Sequence, residues 1–327
     1  MTTLVIDVAA EHSGAITILN QFIAEFRNDP ENKYIIVLST PKYEDCDNIK
    51  FVNYEWIKKS HLHRLFFDRI YVSRLIRRYK PDRLLSLQNN AFHVNGILQE
   101  VYFQNALPIS EKRFSLKESK SLWIYQNIIG WNVRRSLKWA DHVTVQAAWI
   151  KRALVNKWNI EEVKISVKRP EINLPEKAEE YHPTALFYPA NGSLYKNHLT
   201  LFRALKPLWE KKHAPELRLT GTKSNLPLDC QEFISKSDYP VVFMGRLSRE
   251  EMIEQYASTI LVFPSYIETI GLPLVEAKAT GCKIIVSDCE YAHEAVGNYR
   301  EADFFSSFDY KTLEDLIEKN CMNYGML

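Results

Sequence analysis

The sequence predicts an α/β protein built from two doubly wound, Rossmann-like domains. Short apolar, β-branched runs alternate with longer helical patterns along nearly the whole chain, which is the pattern of parallel sheets covered by helices. One segment, residues 169–183, interrupts this alternation with three prolines and a run of charges, as linkers do. The length of 327 residues also fits two domains of ordinary size better than one.

The individual elements follow from these patterns. In the first half we expect strands at residues 4–8, 34–38, 84–87, 101–103, 143–146 and 165–168, and helices at 15–26, 62–79, 122–139 and 149–158. In the second half we expect strands at residues 185–188, 217–220, 241–244, 261–264 and 283–286, and helices at 199–209, 249–257, 273–280 and 312–319. The predicted domains are 1–170 and 184–327, joined by a linker at 171–183.

The composition is that of an ordinary globular protein, with 46% hydrophobic and 25% charged residues. The net charge of +2 hides an asymmetry, because residues 1–170 hold 26 basic and 17 acidic side chains while the remainder holds 16 and 23. There is neither a signal-peptide pattern nor an uncharged apolar run long enough to span a bilayer, so we expect a cytoplasmic protein. The five cysteines lack metal-ligand spacing and no nucleic-acid-binding motif is present, so we expect neither a metal nor a nucleic-acid partner.

The run ETIGLPLVE, from Glu268 to Glu276, is the most informative part of the sequence. It follows an apolar strand, and Gly271 permits a tight turn before the helix that comes next. The free amides of such a helix start, those of Ile270, Gly271 and Leu272, suit a diphosphate. Glu276 would accept hydrogen bonds from a ribose, and Glu268 from the hydroxyls of a sugar on the β-phosphate. The spacing therefore predicts a nucleotide-sugar site.

The placement of glycine supports a ligand site at one edge of the second domain, because glycine is scarce, with ten in the chain. Gly192, Gly221, Gly245 and Gly271 each follow a predicted strand of that domain. Ligands of open α/β sheets bind beyond the carboxyl ends of the strands, where the backbone turns sharply or approaches the ligand closely. We expect a crevice there, with ordinary turn glycines as the alternative.

The phrase FPSYIETIGLPLVEAKATG resembles the Glu-x7-Glu donor signature of the retaining family 4 glycosyltransferases (glycosyl transferases group 1), whose GT-B fold has two Rossmann-like domains facing a central cleft. The resemblance extends to FYPANGSLYKNH, in which Lys196 corresponds to the lysine that neutralises the donor diphosphate. It also extends to VFMGRLSREEMIEQY, which carries Gly245 and Arg246 and resembles the family's segment that borders the nucleobase. Asn191 stands where the family usually has an arginine, which leaves one fewer charge on the phosphates.

The first domain resembles the family only in outline. Gly14, in EHSGAITILNQF, falls where the family has a glycine-containing loop near the donor phosphates and the acceptor. Gln104 and Asn105, in YFQNALP, replace a histidine that many relatives have in the crevice. We therefore expect Gln104 and Asn105 on the acceptor side and assign no catalytic histidine.

The resemblance implies a bacterial surface-polysaccharide enzyme that moves a sugar, with retention, from a nucleoside-diphosphate sugar to a saccharide acceptor on a lipid carrier. The donor would bind the second domain and the acceptor the first. Glu268 and Lys196 would be the catalytic residues, and Lys196 with the turn from Thr269 to Leu272 would stabilise the departing diphosphate. Transfer would need neither a metal nor a cofactor. Likeness to the family also leaves two alternatives open, a nucleotide-sugar epimerase on the same fold and a non-catalytic nucleotide-sugar-binding subunit.

Residues 58–83 hold nine basic and two acidic side chains along a predicted amphipathic helix. Its apolar face would comprise Leu62, Leu65, Phe66, Ile70, Val72, Leu75 and Ile76. A basic amphipathic helix can lie on an anionic membrane, which would place the protein at the inner face of the plasma membrane. The alternative is a packed helix of the fold with a solvated basic side.

Overall fold

The computed structural model describes residues 1–11, 13–170, 172–211 and 215–327, but of Ser13, Gly14 and His61 it describes the backbone alone. The chain forms two compact units, Met1–Pro170 and Glu171–Leu327, which we call unit 1 and unit 2. The division therefore falls at the start of the proline-rich segment. Each unit is built on one parallel sheet, as the alternation of strands and helices predicts.

Unit 1 has seven strands among its described residues, all parallel, in the order β3-β2-β1-β4-β5-β6-β7. They are β1 (Thr2–Ile6), β2 (Lys33–Leu38), β3 (Ile49–Asn53), β4 (Arg83–Ser86), β5 (Leu98–Phe103), β6 (His142–Val145) and β7 (Ile165–Val167). Successive side chains of β1 enter separate cores on the two faces, with Val5 in one core and Leu4 and Ile6 in the other. Burial on both faces explains why the central strands read as continuous apolar runs.

Unit 2 has six strands among its described residues, also all parallel, in the order β10-β9-β8-β11-β12-β13. They are β8 (Ala185–Tyr188), β9 (Leu217–Leu219), β10 (Val241–Phe243), β11 (Thr259–Phe263), β12 (Ile284–Ser287) and β13 (Ala302–Phe305). The order reverses between β8 and β11, just as it reverses between β1 and β4 in unit 1. Such a switch point is where open α/β sheets bind ligands, beyond the carboxyl ends of the strands.

The sequence prediction missed two strands, β3 and β13, and both lie at an edge of their sheet. Lys50 interrupts the apolar residues of β3 and Asp303 those of β13, so neither strand shows the continuous apolar run on which the prediction relied.

Unit 1 has six α-helical segments among its described residues, and two pairs of them are joined by a π turn. They are α1 (Ser13–Arg27), α2 (His61–Phe66), α3 (Val72–Tyr79), α4 (Lys120–Ile124), α5 (Gly130–Ser136) and α6 (Ala148–Trp158). The π turns are Phe67–Tyr71, between α2 and α3, and Tyr125–Ile129, between α4 and α5. A π turn adds a residue to one turn of helix and so rotates the side chains that follow it.

This geometry corrects the predicted apolar face of residues 58–83. Of the predicted face, Val72 and Leu75 are buried in the core of unit 1 together with Phe67, and Ile76 packs against that core partly buried. Leu62, Leu65, Phe66 and Ile70 are exposed. The sequence pattern therefore combines two faces, one packed and one open.

The helices of unit 2 fill the gaps between its strands. They are α7 (His198–Glu210), α8 (Leu228–Ile234), α9 (Arg249–Ser258), α10 (Leu272–Thr280), α11 (Glu290–Val296) and α12 (Tyr310–Asn323). The segment predicted as a linker has no regular structure in its described residues and is attached to unit 2. The Ala178 amide donates to the Thr280 carbonyl at 3.1 Å, and the Tyr181 hydroxyl to the Thr259 carbonyl at 2.7 Å.

None of the helices in the described ranges combines the length and the apolar character that crossing a bilayer requires.

Candidate functional site

An ion pair marks the switch point of unit 2. Lys196 lies in the loop after β8, and Glu268 lies in the loop after β11, the strand beside it. Their Nζ and Oε1 atoms are 2.5 Å apart, and the two side chains are only 14% and 16% exposed. Both predicted catalytic residues therefore meet at the edge where the fold places ligands.

The amide of Asn197, which the prediction did not single out, fixes the loops around this ion pair. Asn197 has a left-handed backbone, with φ of 61°, a conformation that asparagine tolerates better than most residues. Its buried Nδ2 donates to the carbonyls of Pro264 at 3.1 Å and Ser307 at 2.5 Å, and its Oδ1 accepts from the Thr200 hydroxyl at 2.8 Å. One side chain thus ties together the loops that follow β8, β11 and β13. The Lys-Asn pair of the YKNH phrase was the available signal.

The turn before α10 requires glycine. Gly271 caps the helix with a φ of 72°, and a Cβ there would come within 3.1 Å of Leu274 Cδ1 and 3.2 Å of the Tyr291 ring. The Tyr291 hydroxyl donates to the Ser265 carbonyl at 2.5 Å, which holds that ring in place. Among the described residues, the amides of Gly271 and Leu272 have no protein acceptor. The helix start therefore offers free donors at its positive end, where the sequence predicts a diphosphate.

Glu276 lies one turn into α10 and is held by two residues that the prediction missed. Its Oε1 is 3.5 Å from Arg249 Nη1, and its Oε2 accepts a hydrogen bond from the Tyr256 hydroxyl at 3.3 Å. Burial raises the pKa of the Glu276 carboxyl above its ordinary value, while Arg249 and Tyr256 oppose that rise. Arg249 also donates to the carbonyl of Asn173, so it links the proline-rich segment to this carboxylate. The capping box SREE at the start of α9 positions Arg249 and was visible in the sequence.

Two glycine turns lie side by side on the far side of β8. Gly221 and Gly245 exchange main-chain hydrogen bonds of 2.6 and 3.1 Å, and both have a left-handed φ, 80° and 71°. Apart from its two chain neighbours, no described residue has an atom within 4 Å of the position a Cβ would take on Gly245, so the described structure leaves the space above that turn open. Arg246, the next residue, is exposed and has no ion-pair partner among the described residues. These features fit the predicted nucleobase border.

Gly192 does not fit the predicted role of a crevice glycine. A Cβ at Gly192 would lie 1.6 Å from the Asn225 carbonyl oxygen, so the residue is glycine because the turn 222–226 packs against it. Asn191, beside it, accepts a hydrogen bond from the Ser193 amide at 3.0 Å and brings no charge.

His198, the first residue of α7, is buried and neutral. Burial lowers the pKa of its ring to about 3, and the nearby charge of Lys196 acts in the same direction. Neither ring nitrogen has a hydrogen-bond partner among the described residues, and the ring packs 5.0 Å from that of Tyr188. These observations agree with a packing role rather than a catalytic one.

The predicted acceptor-side residues of unit 1 make hydrogen bonds within that unit. Gln104 Nε2 donates to the Leu87 carbonyl at 3.0 Å, and Asn105 Nδ2 donates to the Tyr125 hydroxyl at 2.7 Å. Gly14 lies in α1, and its surroundings are outside the described residues. A role for these three residues toward an acceptor stays a prediction.

Unit 1 also holds a buried acid that the prediction missed. Asp7 follows β1 and is 1% exposed, and neither carboxylate oxygen has a hydrogen-bond partner of normal geometry among the described residues. Burial raises its pKa from 3.8 to about 7, against the opposing effects of the Ala10 amide, Arg64 and Lys58. The sequence signal, a single aspartate after an apolar strand, is too common to have identified it.

The chain resembles known glycosyltransferases in sequence and in structure. The family model described as Glycosyl transferases group 1 matches residues 171–323. The O-antigen chain mannosyltransferase RfbU of Salmonella typhimurium is 24% identical over 169 residues, which cover 51% of this chain and 47% of that protein. The match therefore spans about half the length of this curated relative.

Two solved structures share the architecture of nearly the whole chain. The glycosyltransferase of Rickettsia africae ESF-5 matches with a TM-score of 0.65 at 18% identity, over 99% of this chain and 90% of that one. Anabaena Alr3699/HepE, solved in complex with UDP and glucose, matches with a TM-score of 0.64 at 14% identity, over 98% and 90%. At such identities the likeness concerns the fold alone, and it confirms the predicted GT-B class.

Proposed function

We propose that this protein transfers a sugar from a nucleoside-diphosphate sugar to a saccharide acceptor, because residues 171–323 match the family model of the group 1 glycosyltransferases. The observation that carries the proposal is the meeting of Lys196 and Glu268, 2.5 Å apart, at the switch point of unit 2 beside the free amides of α10. The named ligands of one structural neighbour, UDP and glucose, agree with such a donor.

Each part of the donor has a counterpart in unit 2. The diphosphate would lie on the amides of Gly271 and Leu272, with Lys196 supplying the positive charge. Glu276 would accept hydrogen bonds from the ribose, since Arg249 and Tyr256 already fix the direction of its carboxylate. The base would then rest near the Gly245 turn.

The ion pair with Glu268 gives Lys196 a second role. In the absence of donor, its ammonium group is engaged by that carboxylate. When a sugar hydroxyl donates to Glu268, the same carboxylate continues to orient Lys196 toward the phosphates. Charge that develops on the departing diphosphate then meets a cation that needs no rearrangement, which is the basis of electrostatic catalysis.

The finer features of the reaction are also part of this proposal. Retention of configuration, transfer without a metal and the absence of any cofactor besides the co-substrate follow the family resemblance. An acceptor of the O-antigen or capsule kind, carried on a lipid, is supported by the name of the relative RfbU. A lipid-linked acceptor would bring the enzyme to a membrane surface.

An exposed patch on unit 1 supports such a membrane contact. Leu62, Phe66 and Ile70 are 76%, 40% and 46% exposed on one side of the α2–α3 helix. Arginines share this side, since the guanidinium of Arg74 lies 5.8 Å from the Phe66 ring and Arg69 is exposed beside Ile70. Apolar side chains among arginines are the composition of helices that rest on anionic lipid.

The donor proposal is tested by calorimetry with UDP, GDP, dTDP and their sugar conjugates on the parent, Lys196→Ala and Glu276→Ala. We expect one nucleotide series to bind the parent and to weaken in both variants. Binding of no nucleotide-sugar, or unchanged binding in both variants, would contradict the proposal. Conversion of the sugar without an acceptor would favour the epimerase, and binding without any turnover would favour the non-catalytic subunit.

The anomeric configuration of the product, determined by NMR, tests retention, and turnover in EDTA tests independence from a metal.

Vesicle sedimentation tests the membrane contact. We expect binding to vesicles that contain anionic lipid and a roughly 10- to 30-fold weaker association for Arg69→Gln/Arg74→Gln, because each basic residue at such a surface contributes about 1 kcal/mol. The pair Lys223→Gln/Lys236→Gln in unit 2 removes the same charge from exposed positions and should bind like the parent. Equal binding to neutral and anionic vesicles would argue against the contact.

A further inference from the structure

Two aromatic side chains stand side by side at the edge of unit 2 next to the ion pair. Tyr266 lies two residues before Glu268 in the loop after β11, and Phe308 lies in the loop after β13. Their ring centroids are 5.0 Å apart with the planes inclined by 53°. Phe308 is 57% exposed, an unusual degree for a phenylalanine, and nothing in the proposed donor site uses it.

The backbone around this pair is fixed to the ion-pair loop rather than free to fold the rings away. Asn197 is the residue after Lys196, and its side-chain amide donates to the carbonyl of Ser307, the residue before Phe308. The Tyr266 amide donates to the carbonyl of Tyr195 at 3.1 Å. The turn that presents Phe308 closes with a hydrogen bond of 2.8 Å from the Asp309 amide to the Ser306 carbonyl, and Asp309 caps α12. These hydrogen bonds fix the loops that carry the two rings relative to the loops that carry Lys196 and Glu268.

The strand order shows on which side of the donor this aromatic pair lies. The Gly245 turn follows β10, at one edge of the sheet, whereas Phe308 follows β13, at the opposite edge. Lys196 and Glu268 follow the two central strands, β8 and β11. A nucleotide with its base near Gly245 and its phosphates at α10 would therefore direct its sugar end toward Tyr266 and Phe308.

We propose that Tyr266 and Phe308 form a stacking subsite for a pyranose ring, placed beside the carboxylate of Glu268. A pyranose has one face of C–H groups, which packs on an aromatic ring, and a rim of hydroxyls, which a nearby carboxylate can accept. The subsite rests on the proposed function, because it receives either the transferred sugar or the first ring of the acceptor. A nucleobase, the other common stacking ligand, belongs to the opposite edge.

Affinity measurements on Phe308→Ala separate the donor sugar from the nucleotide. Binding of UDP, GDP and dTDP is compared with that of UDP-glucose, GDP-mannose and dTDP-glucose. If the ring on the subsite is the donor sugar, Phe308→Ala binds the nucleotide-sugar about 3- to 10-fold more weakly and the nucleotide unchanged, the range that aromatic contacts give. Phe308→Trp restores the loss, and Leu228→Ala, which truncates another exposed apolar side chain of unit 2, has no effect.

Saturation-transfer NMR with methyl glycosides of glucose, mannose and galactose tests the acceptor. These spectra are recorded with and without the nucleotide, so that they report on the subsite even if no nucleotide binds and the donor proposal fails. If the ring belongs to the acceptor, the parent saturates the ring C–H protons, Phe308→Ala loses the signal, and donor affinities do not change. If Phe308→Ala alters neither the nucleotide-sugar affinities nor the glycoside signals, the subsite does not exist.

Discussion

The two units share the strand order around their switch points, but the residues that follow the central strands differ. Unit 2 has an ion pair there, and unit 1 has a buried acid. In unit 2 the strands β8 and β11 bring together Lys196 and Glu268, two charges that neutralise each other and remain partly exposed. In unit 1 the strand β1 is followed by Asp7, an acid that is buried and has no hydrogen-bond partner of normal geometry among the described residues. The strand order decides where a ligand can bind, and the residues just beyond the strands decide what binds there.

The difference between the two units would lose its functional meaning if the Lys196–Glu268 pair of unit 2 were not needed for sugar transfer. We expect Lys196→Gln to lower the rate of sugar transfer by about 10²- to 10³-fold, the loss that follows removal of one preorganised charge from a transition state. Stopped assays with the nucleotide-sugar that binds in the calorimetric screen measure this rate. Lys223→Gln, which removes an exposed lysine of the same unit, should retain full activity. A Lys196→Gln enzyme within threefold of the parent would mean that the pair does not carry the chemistry.

Two glycines, one in each unit, allow the energetic cost of a strained backbone to be measured apart from the cost of crowding around an added Cβ. Gly271 and Gly96 have nearly the same φ, 72° and 74°, but within the described ranges only Gly271 has atoms close to the position of a Cβ. We expect Gly96→Ala to lower the free energy of unfolding by about 1 kcal/mol and Gly271→Ala by about 2–3 kcal/mol, because the second adds overpacking to the strain. Urea denaturation measures both changes. Equal losses would show that the packing of Tyr291 and Leu274 around the turn has no energetic weight.

The buried acid of unit 1 should be visible in the pH dependence of stability. The folded state keeps Asp7 protonated up to about pH 7, whereas the unfolded chain releases that proton near 3.8. The free energy of unfolding should therefore fall by about 1.4 kcal/mol per pH unit between pH 5 and 7 through this group, a fall that Asp7→Asn lacks. Denaturation at pH 5, 6 and 7 measures the slope, with Asp238→Asn, at an exposed position, as the control. A parent and an Asp7→Asn protein with identical slopes would show that Asp7 ionises normally.

The smallest effect concerns the carboxylate on α10. We expect Glu276→Gln to weaken nucleotide binding by about 10-fold, since it replaces a charged acceptor by a neutral one for the ribose hydroxyls. The same substitution should raise the melting temperature slightly or leave it unchanged, because burial already disfavours the charge of Glu276. Calorimetry with the nucleotide alone measures the affinity. A loss confined to the sugar conjugate would instead assign Glu276 to the sugar.

The sequence predicted the architecture well because parallel strands buried on both faces leave an unmistakable pattern. The fold class and the central strands followed from apolar runs, and the residues from Glu268 to Glu276 followed from their spacing. The edge strands β3 and β13 were missed because a charged residue, Lys50 or Asp303, interrupts each apolar run.

The parts of the site that were not predicted depend on contacts between residues far apart in the sequence. Arg249 meets Glu276 across two helices, and Asn197 reaches Ser307 over 110 positions. The close packing of Asn225 against Gly192 was not predicted, because Asn225 belongs to another loop. A local sequence pattern cannot predict such long-range contacts, whereas it can predict a glycine turn or an acid that directly follows a strand.

The paired turns of Gly221 and Gly245 have a consequence for how donor preference could change. The two loops hold each other through main-chain atoms alone, by hydrogen bonds of 2.6 and 3.1 Å. The side chain of Arg246 has no share in that support. Evolution, or a designer, can therefore vary Arg246 while the scaffold of the site persists. Under the donor proposal the base rests near this turn, so we expect libraries at position 246, screened against UDP, GDP and dTDP, to yield variants with a changed nucleotide preference.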